Sequence, residues 1–406
     1  MQTRTHTRVY DAELSRLVRE TPQENVLEEL TSVLFKSLPR SDQRRRGMEY
    51  LQGLLGVEGR KSIRNISSLF GGEAAEQSLH HFISVSTWDW EPVRRALAHH
   101  LEEVSPTRAY VLRPMVIPKA GDNSVGVDRR FCPSQGQTMN AQQAVGVWAV
   151  SDEHSTPVNW RLHLPETWLD DKARRRRAAI PESVLPETLD QAGIEAYLDI
   201  TRDWGLPVRP VVMDARESDA AGAVRMLQAA GAPMLLRVSA NLRLTAVDPG
   251  MPRTAAGLET AAHQIMLMAR PLRQPVIQRQ PGPGGGAVHT GLTAAVRVRL
   301  SRHTARRPSH RDLLLLGVGE NGGRWPAELW LTDIADLRPA QLLRLSRLLQ
   351  RVDRDFAEVA ERVGIRDFSG RSYNGWHRHA TLASAAHAVA VLSGTAQPEM
   401  EVAQAS

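Results

Sequence analysis

The chain has 406 residues, of which 42% are hydrophobic and 24% charged, with a formal net charge of +6. This composition excludes a disordered tail and allows two or three domains, each with its own core. Lysine occurs at four positions only, so arginine supplies almost all of the positive charge. That bias favours a phosphate-bearing partner, although a GC-rich genome would produce it as well.

Two features bear on the compartment. A single cysteine, Cys132, excludes internal disulfides and is interpreted as a small apolar filler rather than a nucleophile. The N-terminal MQTRTHTRVYDAEL lacks the apolar core of a signal peptide, and the apolar run ATLASAAHAVAVLSG is too short to span a bilayer. We therefore expect a cytoplasmic protein with no membrane partner.

The first 105 residues are predicted to form an N-terminal helical domain. Apolar residues recur at helical spacing in VLEELTSVLFKSL and VRRALAHHLEEV. Several basic residues could contact a DNA backbone, and the alternative is a solvated helix face. The predicted DNA contacts, together with one lysine in the following segment, are Arg44, Arg45, Arg46, Arg60, Lys61, Arg64 and Lys119.

Residues 106–239 alternate between strand and helix patterns, which predicts the first part of an α/β core. Strands are indicated by AYVLRPMVI, TMNAQQAVGVWAVSD, PVNWRLHLP, VRPVVMDA and MLLRVS, and a charged connector, DDKARRRRAAIPESV, follows the third of them. Asp214 ends the strand VRPVVMDA, and sites in such sheets are usually built at the carboxyl ends of strands.

Residues 240–333 are predicted to form a mostly β insertion with a loop tip near Gly284. Residues 334–390 are predicted to return to the core as helices, and 391–406 to form a flexible tail. From Pro339 to Val363 apolar residues recur every three or four positions, so one stripe faces a core. Asp353 stands beside that stripe and could lean back toward the sheet, although such an acid is more often a boundary residue.

The segment GIRDFSGRSYNGWHRHATLA, residues 364–383, resembles the C-terminal signature of insertion-sequence transposases of the DDE superfamily endonuclease type. The resemblance spans residues 40–385. It implies a ribonuclease H-like mixed sheet flanked by helices, and two Mg²⁺ ions held by three carboxylates. The other blocks that carry it are DQRRRGMEYLQGLLGVEGRKSI, WDWEPVRRALA, PKAGDNSVGVDRRF, PVNWRLHLPETW and VVMDA.

Carried over by resemblance, the family's second acid falls on Asp214 and its third on Asp353. The first is missing, because Arg113 and Pro114 stand where the family has a pair of aspartates. We expect Asp214 and Asp353 to hold Mg²⁺ weakly or not at all. Asp122 and Asp128 could substitute for the first acid, but they lie beyond the proline, on what should be a turn and the next strand. The family's tyrosine, arginine and lysine around the third acid are replaced by Ser346, Leu349 and Ala360.

The residues at this site predict a protein that keeps the ribonuclease H-like fold and has lost metal-dependent DNA cleavage. Arg113 could form a bidentate ion pair with Asp214 or Asp353 and occupy the place of the metal. The leading hypothesis is a transposase-family protein that no longer cleaves or joins DNA but still binds it. The alternatives are an active transposase with an atypical acid set, and a domesticated regulator or small-molecule protein that reuses the cleft. A homodimer is left open.

A cluster near the C-terminus has both a metal-site and a packing interpretation. It consists of Trp376, His377 and His379. Two histidines two positions apart with no third ligand nearby more often pack than bind metal, so packing is expected.

Overall fold

The computed structural model describes residues 21–132, 136–251, 257–279, 288–300, 312–320 and 322–394. The expected loop tip near Gly284 lies outside these ranges, as does most of the expected tail. The domain limits at 105, 239, 333 and 390 stay predictions. The described helices and strands share one hydrophobic core.

The N-terminal region is helical, as predicted. Its helices are α1 (Pro22–Leu34), α2 (Ser41–Gly56), α3 (Ile63–Ser67), α4 (Glu73–Ser84) and α5 (Glu91–Val104). Helix α1 starts at a capping box, in which the Thr21 hydroxyl accepts from the Glu24 amide and the Glu24 carboxylate accepts from the Thr21 amide.

A mixed sheet follows, which confirms the predicted α/β class and is consistent with a ribonuclease H-like fold. Its first strands are β1 (Ala109–Pro118), β2 (Asp128–Cys132), β3 (Gln137–Val150), β4 (Ser155–His163), β5 (Val211–Asp214) and β6 (Met234–Arg237). Strand β1 lies between β3, which is antiparallel to it, and β5, which is parallel. The helices between these strands are α6 (Glu166–Leu169), α7 (Lys172–Arg177), α8 (Leu189–Leu198) and α9 (Ala220–Ala229).

The insertion is mostly β. Its elements are β7 (Arg243–Ala246), β8 (Glu259–Ala261), α10 (Ala262–Met268), β9 (Gln274–Arg279), β10 (Val288–Leu300), β11 (Leu313–Glu320) and β12 (Glu328–Thr332). The insertion extends the same sheet, because β12 pairs antiparallel with β6. The strand order through the described residues is β2-β3-β1-β5-β6-β12-β11-β10-β7-β8, with β4 on β3 and β9 on β10.

The chain then returns to the core through α11 (Pro339–Ser346), α12 (Leu348–Asp355), a π-helical turn (Phe356–Ala360) and α13 (Tyr373–Leu392). Helix α13 is buried from Gly375 to Ala390 and packs against β4 on one side and the N-terminal helices on another. Within the described ranges, no helix combines the length and apolar character needed to cross a membrane.

Candidate functional site at the ends of strands β1 and β5

Three chain segments bring the positions expected from the sequence together. Strands β1 and β5 are parallel with Leu112 opposite Met213, so Arg113 and Asp214 follow at the same level of neighbouring strands. Helix α12 packs against both strands and carries Asp353 to the same place. The fold therefore brings together Arg113, Asp214 and Asp353, the positions that the sequence predicts for the family's three acids, and the first of them is a cation.

Arg113 forms an ion pair with Asp353. Its Nε donates to Asp353 Oδ1 at 2.8 Å, while its Nη1 donates to the Pro114 carbonyl at 3.1 Å. The sequence suggested a bidentate ion pair. The structure shows a single hydrogen bond from Nε to Asp353 instead, because Nη1 is turned to the Pro114 carbonyl. The guanidinium carbon lies 3.7 Å from the centroid of the Phe356 ring. Burial lowers the pKa of Arg113, and the Asp353 carboxylate opposes that shift.

Asp214 is paired with a second arginine, which reasoning from the sequence missed. Arg216 Nε donates to Oδ1 and Oδ2 of Asp214 at 2.9 and 3.0 Å, and its Nη2 donates to Oδ2 at 2.6 Å. The hydrogen bonds to Asp214 raise the pKa of Arg216. A signal was available, because Arg216 stands only two residues after Asp214 in the turn that leaves β5.

The residues present do not fit a pair of Mg²⁺ ions. Two carboxylates reach the site, and each accepts hydrogen bonds from a guanidinium. Asp128 lies on β2, separated from β5 by β3 and β1, and Asp122 is exposed on the turn before β2. In the described part of the chain, no group of three or more histidine, cysteine, aspartate or glutamate residues could hold a metal.

The positions of the family's phosphate-binding side chains offer no polar group to a ligand. Ser346 is buried and donates to the Leu343 carbonyl at 2.9 Å, and Ala360 is fully buried. Leu349 is half-buried and lines a cavity of about 570 Å³ between α12 and the insertion strands. This cavity has no counterpart in the sequence predictions.

The arginines among the predicted DNA contacts differ in exposure and in whether a carboxylate is paired with them. Arg60 and Arg64 are exposed, and so are Arg44 and Arg45. Arg45 and Arg46 are paired with Glu49, at 3.9 and 2.6 Å, so a carboxylate offsets their charge.

The two lysines differ from expectation. Lys61 is only 4% exposed, so it is not free to contact a DNA backbone, and burial lowers its pKa. Lys119 is half-buried and its amine donates to the Phe368 carbonyl. Burial is the main cause that lowers the pKa of Lys119 to about 8. Both lysines are covered by the segment that precedes α13. Asp367 of this segment accepts from the Lys61 backbone amide at 2.7 Å, and Phe368 accepts from Lys119.

The histidines of α13 lie in the core, as the packing interpretation predicts. His379 Nδ1 is 2.9 Å from the Tyr50 hydroxyl, and its Nε2 is 2.9 Å from the Gly364 carbonyl. His377 is stacked on Trp90 with ring centroids 4.8 Å apart, and its Nδ1 is 3.1 Å from Nη2 of the buried Arg94. Cys132 is buried as well.

A mixed sheet whose parallel strands β1 and β5 carry Arg113 and Asp214 beside Asp353 of a packed helix is consistent with a ribonuclease H-like fold. Residues 33–307, about two thirds of the chain, match the family model of DDE superfamily endonucleases, and the chain belongs to that family. Arg113 and Asp214 lie inside the matched range, and Asp353 lies beyond it.

One curated relative is a probable transposase for insertion sequence element IS701 from Microchaete diplosiphon. It is 26% identical over 144 residues, which are 34% of this chain and 37% of the relative. The match therefore covers little more than a third of that relative's length.

Proposed function

We propose that this chain is a member of the DDE endonuclease family that has lost DNA cleavage and strand transfer and keeps the ability to bind DNA in the cytoplasm. The observation that carries the first half is the pairing of both remaining acids with arginine. Asp353 is held by Arg113 and Asp214 by Arg216.

The chemistry of phosphodiester cleavage explains why this pairing matters. In-line displacement at phosphorus relies on two metal ions that stabilise the attacking and leaving oxygens. Mg²⁺ is held by oxygen ligands, and a guanidinium offers none and stays charged at every pH at which proteins fold. A fixed cation at position 113 therefore both removes a ligand and repels the ion.

The support for DNA binding is electrostatic. The chain carries a net charge of +6, and Arg60 and Arg64 are exposed beside the start of α3. Binding of this kind neutralises phosphates and releases counterions, so it weakens as salt is added. A complete lack of binding to duplex DNA at about 50 mM salt would contradict this half of the proposal and favour a small-molecule role for the cleft.

Cleavage is tested with supercoiled plasmid and end-labelled oligonucleotides in Mg²⁺ or Mn²⁺. The expected result is neither nicking nor joining by the wild-type protein. The matched variants are Asp214→Ala, inside the site, and Asp336→Ala, which removes the same charge from an exposed position after β12. Metal-dependent cleavage that persists in Asp336→Ala and disappears in Asp214→Ala would show that the site is active.

A further inference from the structure

We infer that the DNA backbone is held along a basic surface that runs from the altered acidic site to helix α7. We call it the arginine track and define it as Arg60, Lys119, Arg174, Arg177 and Arg371. The inference rests on the proposed DNA binding and names the surface responsible for it. Three of these residues, Arg174, Arg177 and Arg371, were not among the contacts expected from the sequence.

Helix α7 lies within the stretch that the sequence suggested was a charged connector. Its N-terminus is capped by Asp171, which accepts from the amides of Ala173 and Arg174 at 2.8 and 3.0 Å. Arg175 turns inward and its Nη2 donates to the carbonyls of Pro181 and Val184 at 2.6 and 2.9 Å. These contacts hold the helix in place, so its other arginines are presented from an ordered element.

The aromatic partner of α7 anchors the helix to the turn before β2. Arg174 stacks on Trp168 with its guanidinium carbon 5.2 Å from the ring centroid, and the Trp168 indole N–H donates to the Val127 carbonyl at 2.8 Å. Arg174, Arg177 and Arg371 line one small cavity of about 70 Å³ together with Asp122 and Asn123 of that turn. The three arginines are therefore neighbours in space.

The segment from Arg366 to Tyr373 joins this group to Lys119 and Arg60. The Phe368 carbonyl accepts from the Lys119 amine, and the Tyr373 amide donates to the Ala178 carbonyl at 2.8 Å, just past the end of α7. Arg371 lies between these two anchor points. Arg60 belongs to the same neighbourhood, because the backbone amide of Lys61, the next residue, donates to Asp367 of this segment at 2.7 Å.

The same segment reaches the altered acidic site at its other end. The guanidinium carbon of Arg366 lies 5.7 Å from the centroid of the Phe356 ring, on which Arg113 also stacks. The segment from Arg366 to Tyr373 therefore extends from the altered acidic site to α7.

Two charges of the arginine track are available to a ligand, whereas Arg174 lies 3.8 Å from Asp171 and Lys119 donates to the Phe368 carbonyl. Arg177 and Arg371 are exposed, and neither makes a hydrogen bond or ion pair with any residue in the described ranges. Arg45 and Arg46 of α2, by contrast, share Glu49. An unpaired cation loses no internal partner when it binds a phosphate, so the track is the stronger candidate.

The arrangement fits an extended polyanion better than a small anion. Duplex DNA carries one negative charge per about 1.7 Å of its axis and can meet several separated cations at once. Contacts of this kind position the duplex without reading its bases, so the binding along the track is expected to be independent of sequence.

The test is binding of the full chain to a fluorescently labelled duplex, measured by anisotropy over a series of salt concentrations. The test variant carries Arg177→Gln and Arg371→Gln. The control carries Arg95→Gln and Arg202→Gln, which remove the same charge from exposed positions off the track. We expect the test variant to bind about tenfold or more weakly at about 0.1 M salt, and its log–log salt slope to fall by about 1.8, because each phosphate contact contributes about 0.9.

The outcomes separate this inference from the proposed function. Equal binding by the wild type and both double variants would overturn the arginine track and leave DNA binding intact. Loss of affinity in the control as large as in the test variant would also overturn it, since only net charge would then matter. Absence of binding by the wild type would remove both proposals. If the double variant fails to fold, Arg371→Gln alone is expected to lower the slope by about 0.9.

Discussion

Arg113 is the partner of the Asp353 carboxylate in the candidate site. Its guanidinium donates a hydrogen bond to Asp353 from one edge and stacks on the Phe356 ring with one face. The carboxylate side of the pair is open to water, because the Asp353 side chain is 64% exposed while that of Arg113 is 21% exposed. Solvent therefore screens the ion pair, and the aromatic contact supplies part of its stability.

Removal of Arg113 should have a modest effect on stability for this reason. We expect Arg113→Ala to lower the free energy of unfolding by about 1 to 2 kcal/mol, from a screened ion pair and a cation–π contact. The control is Arg354→Ala, which breaks an exposed neighbouring contact with Asp355. Urea denaturation of both variants measures the difference. A loss of more than about 4 kcal/mol would mean that the pair behaves as a buried one.

Restoring the acid should restore a response to metal, provided that Asp214 is also released. The variant Arg113→Asp with Arg216→Ala presents three uncompensated carboxylates, which repel one another without metal. We expect Mg²⁺ or Mn²⁺ to raise its Tm, since a ligand at 100 times its Kd adds about 2.7 kcal/mol to the folded state. The wild type and the variant Arg113→Asn with Arg216→Ala should show no such rise.

The opposite result would correct the alignment of strand β1. If metal raises the Tm of the wild type strongly, or leaves the Tm of the variant Arg113→Asp with Arg216→Ala unchanged, then position 113 is not where the family has its first carboxylate. Thermal unfolding with and without chelator distinguishes these cases.

At the scale of elements, the turn before α13 decides how the C-terminal signature meets the N-terminal helices. Gly364 has φ +76°, and its carbonyl accepts from His379. A Cβ at this position would lie 2.3 Å from Cγ of Lys61. The turn therefore packs closely against the buried Lys61 side chain, and only glycine fits at position 364 without a shift of that side chain.

Substitution of this glycine should be costly for two separable reasons. Gly364→Ala adds left-handed backbone strain of about 1 to 2 kcal/mol and a steric clash with Lys61. Gly205→Ala is the matched control, because Gly205 has φ +73° and open space around its Cβ position. We expect Gly364→Ala to be the more destabilising of the two in chemical denaturation. Equal losses would show that Lys61 moves aside freely.

At the scale of the whole molecule, α13 is the element on which the helical region and the sheet converge. It buries histidines whose pKa values are depressed mainly by burial, to about 4 for His379 and about 3 for His387. The Gly364 carbonyl and Asp367 oppose the shift at His379, and Lys119 adds to it. The core therefore holds these rings neutral.

This burial predicts acid sensitivity with a definite sign. A histidine with an unfolded pKa near 6.5 and a folded pKa of about 4 stabilises the fold fully above pH 6.5 and progressively less as the pH falls toward 4. For His379 the loss between pH 7 and pH 4 is about 3 kcal/mol, at about 1.4 kcal/mol per pKa unit. His379→Gln should flatten the dependence of unfolding free energy on pH, whereas exposed His80→Gln should not. An unchanged slope in His379→Gln would contradict the assignment.

Local patterns in the sequence were enough for the fold class and for the elements that carry Asp214 and Asp353. Strand and helix periodicities alternate as the structure does, and Asp214 ends β5 as its apolar run indicated. Asp353 lies on α12, at the edge of an apolar stripe. The missing carboxylate at position 113 was also visible in the chain. These features depend on residue type and short-range order, which the sequence states directly.

Only the tertiary structure decided which groups meet. The choice of Asp353 as the partner of Arg113 and the burial of Lys61 depend on segments far apart in the chain. The pairing of Asp214 with Arg216, two residues away, depends on side-chain direction. The arginine track depends on the stretch after Arg366 that packs between Lys119 and α7. Charge counts cannot reveal such neighbours, because the same residues would be scattered if that segment packed elsewhere.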